Sequence, residues 1–189
     1  WRRLADSSQL NLWLGSTVVL VLLWSMQAGV RPGLSLHLVG AMVCTLAFGP
    51  WLAFVSLCLA LLGVSLNGGA GWEGYAANAL LMAGVGVGVS QAVIRFSERF
   101  LPRHFFVYVF ANGFFGAAIS MAAVGTAVSL VLAGSQTYAI EEVFGEYLPY
   151  VLLLSFSEAW ISGMVVTLFV VYRPQWVSTF DDSRYLREK

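Results

Sequence analysis

The sequence predicts an all-α integral membrane protein, and three observations support that fold class. Hydrophobic residues make up 59% of the 189 residues and charged residues only 11%, whereas a soluble domain carries about 25% charged residues. The mean hydropathy is +0.78. Four long stretches, residues 11–29, 37–72, 75–93 and 105–140, contain no charged side chain. Uncharged apolar stretches of about 20 residues are typical of transmembrane helices.

The uncharged stretches divide into six predicted transmembrane helices, at residues 10–29, 36–49, 51–66, 75–94, 105–133 and 147–172. The second and third are short, and Gly49-Pro50-Trp51 marks the turn between them because proline cannot continue a preceding helix. We expect these two to form a tight hairpin that is tilted or partly re-entrant. The chain is then a single polytopic domain (1–189), with a segment 1–9 before the helical bundle and a tail 173–189 after it.

The basic residues predict the orientation, since cytoplasmic loops carry an excess of lysine and arginine. If both ends of the chain are cytoplasmic, only Arg31 among the ten basic residues lies outside. The others lie inside, at Arg2, Arg3, Arg95, Arg99, Arg103, Arg173, Arg184, Arg187 and Lys189. This orientation places His37 at the outer side and His104 in the cytoplasm.

Small residues spaced four apart predict close contacts between helices, because they let backbones approach each other in lipid. The pairs are Gly84 with Gly88, Gly113 with Ala117, Gly116 with Ser120, and Ala159 with Gly163. Aromatic residues gather near the ends of the predicted helices, where we expect interfacial anchors rather than a cofactor site. They are Trp13, Trp24, Trp51, Trp72, Tyr75, Tyr147, Tyr150 and Tyr172.

Four polar residues within the predicted helices need an explanation, because ionisable and polar side chains are costly in hydrocarbon. His37 is either a functional group or an interfacial residue bonded to a nearby carbonyl. Asn78 and Asn112 are either functional or simple interhelical hydrogen bonds. Glu158 lies near the middle of the last predicted helix, with no lysine or arginine in the predicted helices to pair with it. It is either functional or a protonated, hydrogen-bonded carboxyl.

Enzyme motifs are absent from the sequence. There is no HExxH, no GxS motif of an intramembrane serine protease, no pair of aspartates within the predicted helices and no phosphate-binding loop. Cys44 and Cys58 lie in apolar runs without metal-binding spacing. The net charge is zero and no basic stripe suggests nucleic acid. We therefore predict that the protein is not an enzyme and needs no organic cofactor.

The stretch from Gly33 to Ala83 carries a family resemblance. It reads PGLSLHLVG, then FGPWLAF, then NGGAGWEGYAANALLMAG, and SEAWISGMVV follows later in the last predicted helix. This order resembles the substrate-capture membrane subunits of cobalt and nickel transporters of the energy-coupling-factor type, the CbiM/NikM-like family. In that family a Pro-Gly-x-Ser-x-His-Leu motif, a Gly-Pro-Trp turn and a glycine loop precede an Ala-Asn helix. The resemblance covers most of residues 30–172.

The resemblance implies that His37 is a metal ligand in a planar, nitrogen-rich site for Ni²⁺ or Co²⁺, which favour such ligands. The remaining ligands would come from the protein's N-terminus, by way of a seventh transmembrane helix preceding residue 1. Asn78 would orient ligands near the site, and we expect Ser35 and Asn67 to line the same pocket. Asn112 and Glu158 are expected to have structural or gating roles.

The same resemblance implies a bacterial cytoplasmic membrane protein that captures the metal as substrate and does not hydrolyse ATP. Its partners would be a coupling membrane subunit and cytoplasmic ATPases, with the loop 95–104 as part of the contact surface. The alternative is a membrane scaffold or small-solute permease that has the fold but lacks the metal site. The behaviour of His37 distinguishes the two hypotheses.

Overall fold

A computed structural model describes residues 6–26, 28–31, 34–135 and 138–181. At residues 28, 30, 31, 34 and 35 it describes the backbone alone. Five of the basic residues used to predict the orientation lie outside the described residues: Arg2, Arg3, Arg184, Arg187 and Lys189. The orientation, like the division into segment, bundle and tail, therefore stays a prediction.

The described chain is almost entirely helical. Its helices are α1 (Ser7–Ser25), α2 (Ala41–Phe48), α3 (Pro50–Leu66), α4 (Tyr75–Phe100), α5 (Phe105–Gly134) and α6 (Ile140–Tyr172), followed by a short 3-10 turn (Pro174–Trp176). Each of the last three long helices contains a π-helical stretch, at Ala79–Val85, Tyr108–Gly116 and Val143–Tyr147. Strands β1 (Ala28–Arg31) and β2 (Leu34–Leu36) form a small antiparallel hairpin between α1 and α2.

Four of these helices, α1, α4, α5 and α6, are long and apolar enough to cross a membrane. The predicted count of six transmembrane helices is not confirmed. Helix α3 has 17 residues, at the short limit for a membrane crossing. The second predicted helix, 36–49, contains a helix of only 8 residues. That helix is about 12 Å long, whereas the hydrocarbon core of a bilayer is about 30 Å thick.

Helix α2 begins five residues later than predicted, at Ala41 instead of residue 36, because the backbone before it is not helical. Residues 34–36 belong to the hairpin, and Gly40 has φ +71°, a left-handed conformation that a helix cannot pass through. The end of α2 was predicted correctly, because Gly49 with φ +84° turns the chain and Pro50 begins α3. Proline is favoured at the first position of a helix since its missing N–H would be unpaired there.

Helices α1 and α3 run parallel, so the chain that connects them returns to the end of the bundle at which α1 begins. The Trp13 indole donates to Leu52 O at 3.2 Å and Thr17 lies 3.3 Å from Ser56, the same offset of 39 residues. We call the end that holds residues 7–9, the 48–50 turn and the segment 174–181 the base of the bundle. The β1–β2 hairpin lies at the opposite end, which we call the top.

The C-terminal segment 174–181 packs against the base. The backbone N–H groups of Ser178 and Thr179 donate to the carbonyls of Ala47 and Leu46, which belong to the last turn of α2. The Thr179 hydroxyl also donates to Leu46 O at 3.2 Å. These bonds satisfy helix-terminal carbonyls that have no partner within α2.

Small residues bring α5 and α6 together, as predicted for Gly113 and Gly163. A Cβ on Gly113 would lie 3.2 Å from Val166 Cβ and 3.5 Å from Gly163 Cα. Gly125 of α5 lies against Val151 so closely that a Cβ would overlap its side chain. The Gly84–Gly88 pair is different, since a Cβ at Gly88 would meet no described atom within 4 Å. A Cβ at Gly84 would meet only Leu80 of the same helix, so neither glycine shows the close approach that was predicted.

The prediction that the aromatic residues are all interfacial anchors was wrong for three of them. Trp13, Trp24 and Tyr147 are buried, whereas Trp51, Trp72, Tyr150 and Tyr172 are exposed. The buried members face other helices because they lie on the inner faces of α1 and α6. Trp24 matters most, because it contacts His37.

Candidate functional site

His37 lies at the top of the bundle, in the extended residues between β2 and α2. Its ring is half-buried and packs against Trp24, with the ring centroids 4.7 Å apart. The His37 Nδ1 atom is 3.1 Å from Leu38 O. Because a carbonyl oxygen can only accept, this contact requires the proton on Nδ1, and the neutral ring then carries its lone pair on Nε2.

A neutral histidine whose Nε2 lone pair is free is able to bind a metal ion through that atom. Metal-bound histidines donate their second ring N–H to a carbonyl, a carboxylate or water, which fixes the tautomer and the ring orientation. Here the Leu38 carbonyl is the acceptor for the Nδ1–H of His37. Trp24 holds one face of the ring, so the imidazole is restrained by packing as well as by a hydrogen bond.

Glu158 holds the segment that follows His37. Its side chain is 3% exposed and accepts hydrogen bonds from Val39 N (2.9 Å) and Gly40 N (2.7 Å). Ser162, one turn further along α6, adds a longer contact of 3.5 Å to the same carboxylate. The N–H groups before a helix have no intrahelical acceptor and carry a partial positive charge, so a carboxylate stabilises the start of α2.

The three residues that we expected to line a pocket with His37, namely Ser35, Asn67 and Asn78, lie on different elements of the structure. Asn67 is exposed at the end of α3, where its N–H bonds to Gly63 O. Asn78 is half-buried in the first turn of α4, with its N–H bonded to Gly74 O. The Ser35 backbone pairs with Gly29 in the hairpin, and its side chain lies outside the described atoms. Among the described atoms, neither asparagine side chain makes a hydrogen bond or ring contact with His37, so the roles of all three residues stay predictions.

Asn112 is buried in the π-helical stretch of α5, with 1% of its surface exposed. Its Oδ1 atom has no hydrogen-bond partner among the described residues. Buried polar atoms are normally paired, and Asn112 Oδ1 is an exception among the described residues. Its structural or gating role stays a prediction.

A cavity of about 400 Å³ runs beside α2, between α1 and α6. Its walls are almost entirely apolar, and Glu158 and Ser162 are among its few polar residues. One face of α2, including Cys44 and Ala47, borders this space. The short helix is therefore not packed tightly on every side.

The described residues contain no group of three or more His, Cys, Asp and Glu side chains that could hold a metal ion. Within this part of the chain, His37 is the candidate ligand that the geometry supports. Sequence reasoning found His37 but missed Trp24, whose position near the end of an apolar run suggested only a membrane anchor. It also missed the bonds from Glu158 to Val39 and Gly40, since 118 or more residues separate them in the chain.

The long apolar helices define a polytopic membrane protein. It has a polar site near one end, where His37 is restrained beside the short helix α2. Residues 1–176 match the model of the family described as the cobalt uptake substrate-specific transmembrane region, CbiM. The chain belongs to this family, and it is therefore a membrane component of cobalt uptake. Searches of curated proteins and of solved structures gave no match.

Proposed function

We propose that this protein captures a divalent transition metal, Co²⁺ or Ni²⁺, for an uptake transporter of the energy-coupling-factor type, with His37 as a ligand. The observation that carries the proposal is the Nδ1 contact to Leu38 O, which leaves the His37 Nε2 lone pair for a metal. Family membership supports cobalt as the substrate. Nickel follows from the resemblance and from the preference of both ions for nitrogen ligands.

The other ligands come, in this proposal, from the N-terminal segment that the resemblance places upstream of Trp1. A segment that reaches the top of the bundle would add its nitrogen atoms opposite His37. Ser35, Asn67 and Asn78 would surround the ion and orient its ligands. The metal is the transported substrate, and the proposal includes no catalytic step and no organic cofactor.

The proposed partners are a coupling membrane subunit and cytoplasmic ATPases. The base of the bundle would face the cytoplasm and carry the contact surface, including residues 95–104, which the sequence predicted as a loop and which form the end of α4 and the turn into α5. Arg95, Arg99 and Arg103 fall in this stretch, and Phe96 and Phe100 are exposed beside them. This arrangement would let a change in the partner subunits act on the end of α2, which lies at the same base.

Bound-metal analysis by elemental mass spectrometry tests the proposal. It requires the full-length protein with its native, untagged N-terminus, loaded with Co²⁺ or Ni²⁺ in detergent. We expect about one metal ion per protein, and loss of that metal in His37→Ala. His104→Ala is the matched control, because His104 lies at the base, where it caps α5 by accepting from Phe106 N.

Each outcome discriminates between the hypotheses. Metal retained in His104→Ala and lost in folded His37→Ala supports metal capture. No metal in the wild type after loading rejects it and favours the scaffold or small-solute permease. Equal metal in the wild type and His37→Ala would place the ion elsewhere and remove His37 from the ligand set.

A further inference from the structure

We infer that Glu158 is a positioning residue for His37, acting through the peptide unit that joins Leu38 to Val39. The inference rests on the proposed function, since positioning matters for metal capture only if His37 is a ligand. It assigns a specific role to a buried carboxylate that lies on a different helix, 121 positions from His37 by subtraction of the residue numbers.

The Leu38–Val39 peptide is hydrogen-bonded on both sides. Its N–H, from Val39, donates to Glu158 Oε2 at 2.9 Å. Its C=O, from Leu38, lies 3.1 Å from His37 Nδ1. A peptide unit is planar and its N–H and C=O point in opposite directions. When the carboxylate fixes the direction of the N–H, it therefore also fixes the carbonyl that receives the imidazole proton.

The second carboxylate oxygen fixes the next residue. Glu158 Oε1 accepts from Gly40 N at 2.7 Å, and Gly40 has the left-handed backbone conformation that starts α2. Two consecutive N–H groups are thus held by one rigid carboxylate. The chain from Leu38 to Gly40 has little freedom to rotate while both bonds persist.

Helix α2 is too short to fix the preceding residues, Leu38 to Gly40, by itself. It has 8 residues, below the length at which an isolated helix is stable. One of its faces borders the 400 Å³ cavity. Its residues are mostly buried in the core, its C-terminal carbonyls are bonded to Ser178 and Thr179 at the base, and Glu158 bonds the two N–H groups before its N-terminal end.

The arrangement extends a familiar pattern of metal sites. A metal-bound histidine often donates its second N–H directly to a carboxylate. Here a peptide unit stands between the carboxylate and the imidazole, and hydrogen bonds in such a chain polarise one another. Loss of Glu158 would both release the segment and weaken the Nδ1 bond that selects the tautomer with Nε2 free.

The test compares Glu158→Ala and Glu158→Gln with the matched control Ser155→Ala in the full-length protein. Ser155 is buried one turn earlier on α6, but its hydroxyl donates to Val151 O within its own helix. We expect Glu158→Ala to weaken Co²⁺ or Ni²⁺ binding about 10- to 100-fold, the usual cost of losing such a partner. Glu158→Gln keeps one acceptor oxygen and should give an intermediate loss, whereas Ser155→Ala should bind as the wild type does.

The visible absorption spectrum of the bound ion provides a readout that a general loss of stability would not change. We expect the bands of bound Co²⁺ or Ni²⁺ to shift in Glu158→Gln, because a reoriented His37 changes the ligand field. Folded Glu158→Ala with wild-type affinity and an unchanged spectrum would overturn the inference. If Glu158→Ala does not fold, the affinity and spectrum of Glu158→Gln decide in the same way.

Hydrogen exchange separates a failure of this inference from a failure of the proposed function. It is measured on the metal-free protein by mass spectrometry of peptides covering residues 37–44. We expect exchange at Val39 and Gly40 to be at least ~10-fold faster in Glu158→Ala than in Ser155→Ala, since buried hydrogen bonds protect amides. In Glu158→Gln, which keeps one acceptor oxygen, at least one of the two amides should exchange faster. Unchanged exchange overturns the positioning role even if the wild type binds no metal. Faster exchange with no metal in the wild type rejects only the proposed function.

Discussion

Gly40→Ala is the substitution whose cost is most directly determined by the structure. Gly40 has φ +71°, and a non-glycine residue in the left-handed region costs about 1–2 kcal/mol. Its new Cβ would also lie 2.8 Å from Leu20 Cδ2, which must move. Turning a side chain away from its preferred rotamer costs about 0.5–1.5 kcal/mol. We therefore expect the free energy of unfolding to fall by about 1.5–3.5 kcal/mol.

Two glycines serve as controls for this change. Gly68 has φ +75° but open space around its Cβ position, so Gly68→Ala measures the backbone cost alone, about 1–2 kcal/mol. Gly15 lies within α1 and has neither constraint, so Gly15→Ala should be neutral or stabilise by up to about 1 kcal/mol.

The assay is unfolding by SDS titration in mixed micelles, followed by circular dichroism. Gly40→Ala should be the least stable of the three variants, and the difference from Gly68→Ala is the contribution of Leu20. Wild-type stability in Gly40→Ala would refute the reasoning, because it would mean that residue 40 does not need the left-handed conformation. A loss equal to that of Gly68→Ala would refute the steric part alone.

Three further predictions concern packing, the base and the metal. Gly125→Ala should lower the free energy of unfolding by about 1–3 kcal/mol through overpacking against Val151. SDS titration measures this change, with Gly88→Ala as the control because the space around Gly88 is open. Neutral effects of both substitutions would contradict the prediction. Thr179→Val removes the hydroxyl that donates to Leu46 O and lies 2.7 Å from the Tyr108 hydroxyl. It should cost about 1–3 kcal/mol, whereas the exposed, intrahelical Thr126→Val should cost less than about 0.5 kcal/mol. Metal affinity should fall at acidic pH, because protonated imidazole cannot ligate. Burial lowers the pKa of His37 from its ordinary value, so the fall should lie below the pH at which a free imidazole titrates. Equal Co²⁺ affinity at high and low pH by isothermal titration calorimetry would exclude a histidine ligand.

The sequence was sufficient to predict the features that depend on local composition. Long uncharged stretches predicted α1, α4, α5 and α6, and their observed bounds differ from the predicted ones by 7 residues or fewer, the largest being Ile140 against 147 at the start of α6. The turn at Gly49 and Pro50 followed from the geometry of proline. His37 was found because a histidine within an apolar run is rare and costly.

The features that were missed depend on contacts between distant parts of the chain. Hydropathy favoured a continuous helix over 36–49, since nothing in the local pattern shows that Val39 and Gly40 donate to a carboxylate on α6. The aromatic pattern placed Trp24 at the membrane surface, because proximity to the end of an apolar run does not tell which face of the helix a residue occupies. Only the packing of α1 shows that this ring lies against His37.

The shortness of α2 follows from the requirement that backbone groups be paired inside a membrane. Non-helical backbone at that depth is tolerated only where protein supplies the missing partners. Glu158 accepts from two N–H groups before the helix, and Ser178 and Thr179 donate to two carbonyls at its end. One continuous structure therefore joins His37 at the top to the C-terminal segment at the base. A change at the base that released Leu46 and Ala47 would free the C-terminal end of α2, while Glu158 and Trp24 would still hold the segment around His37.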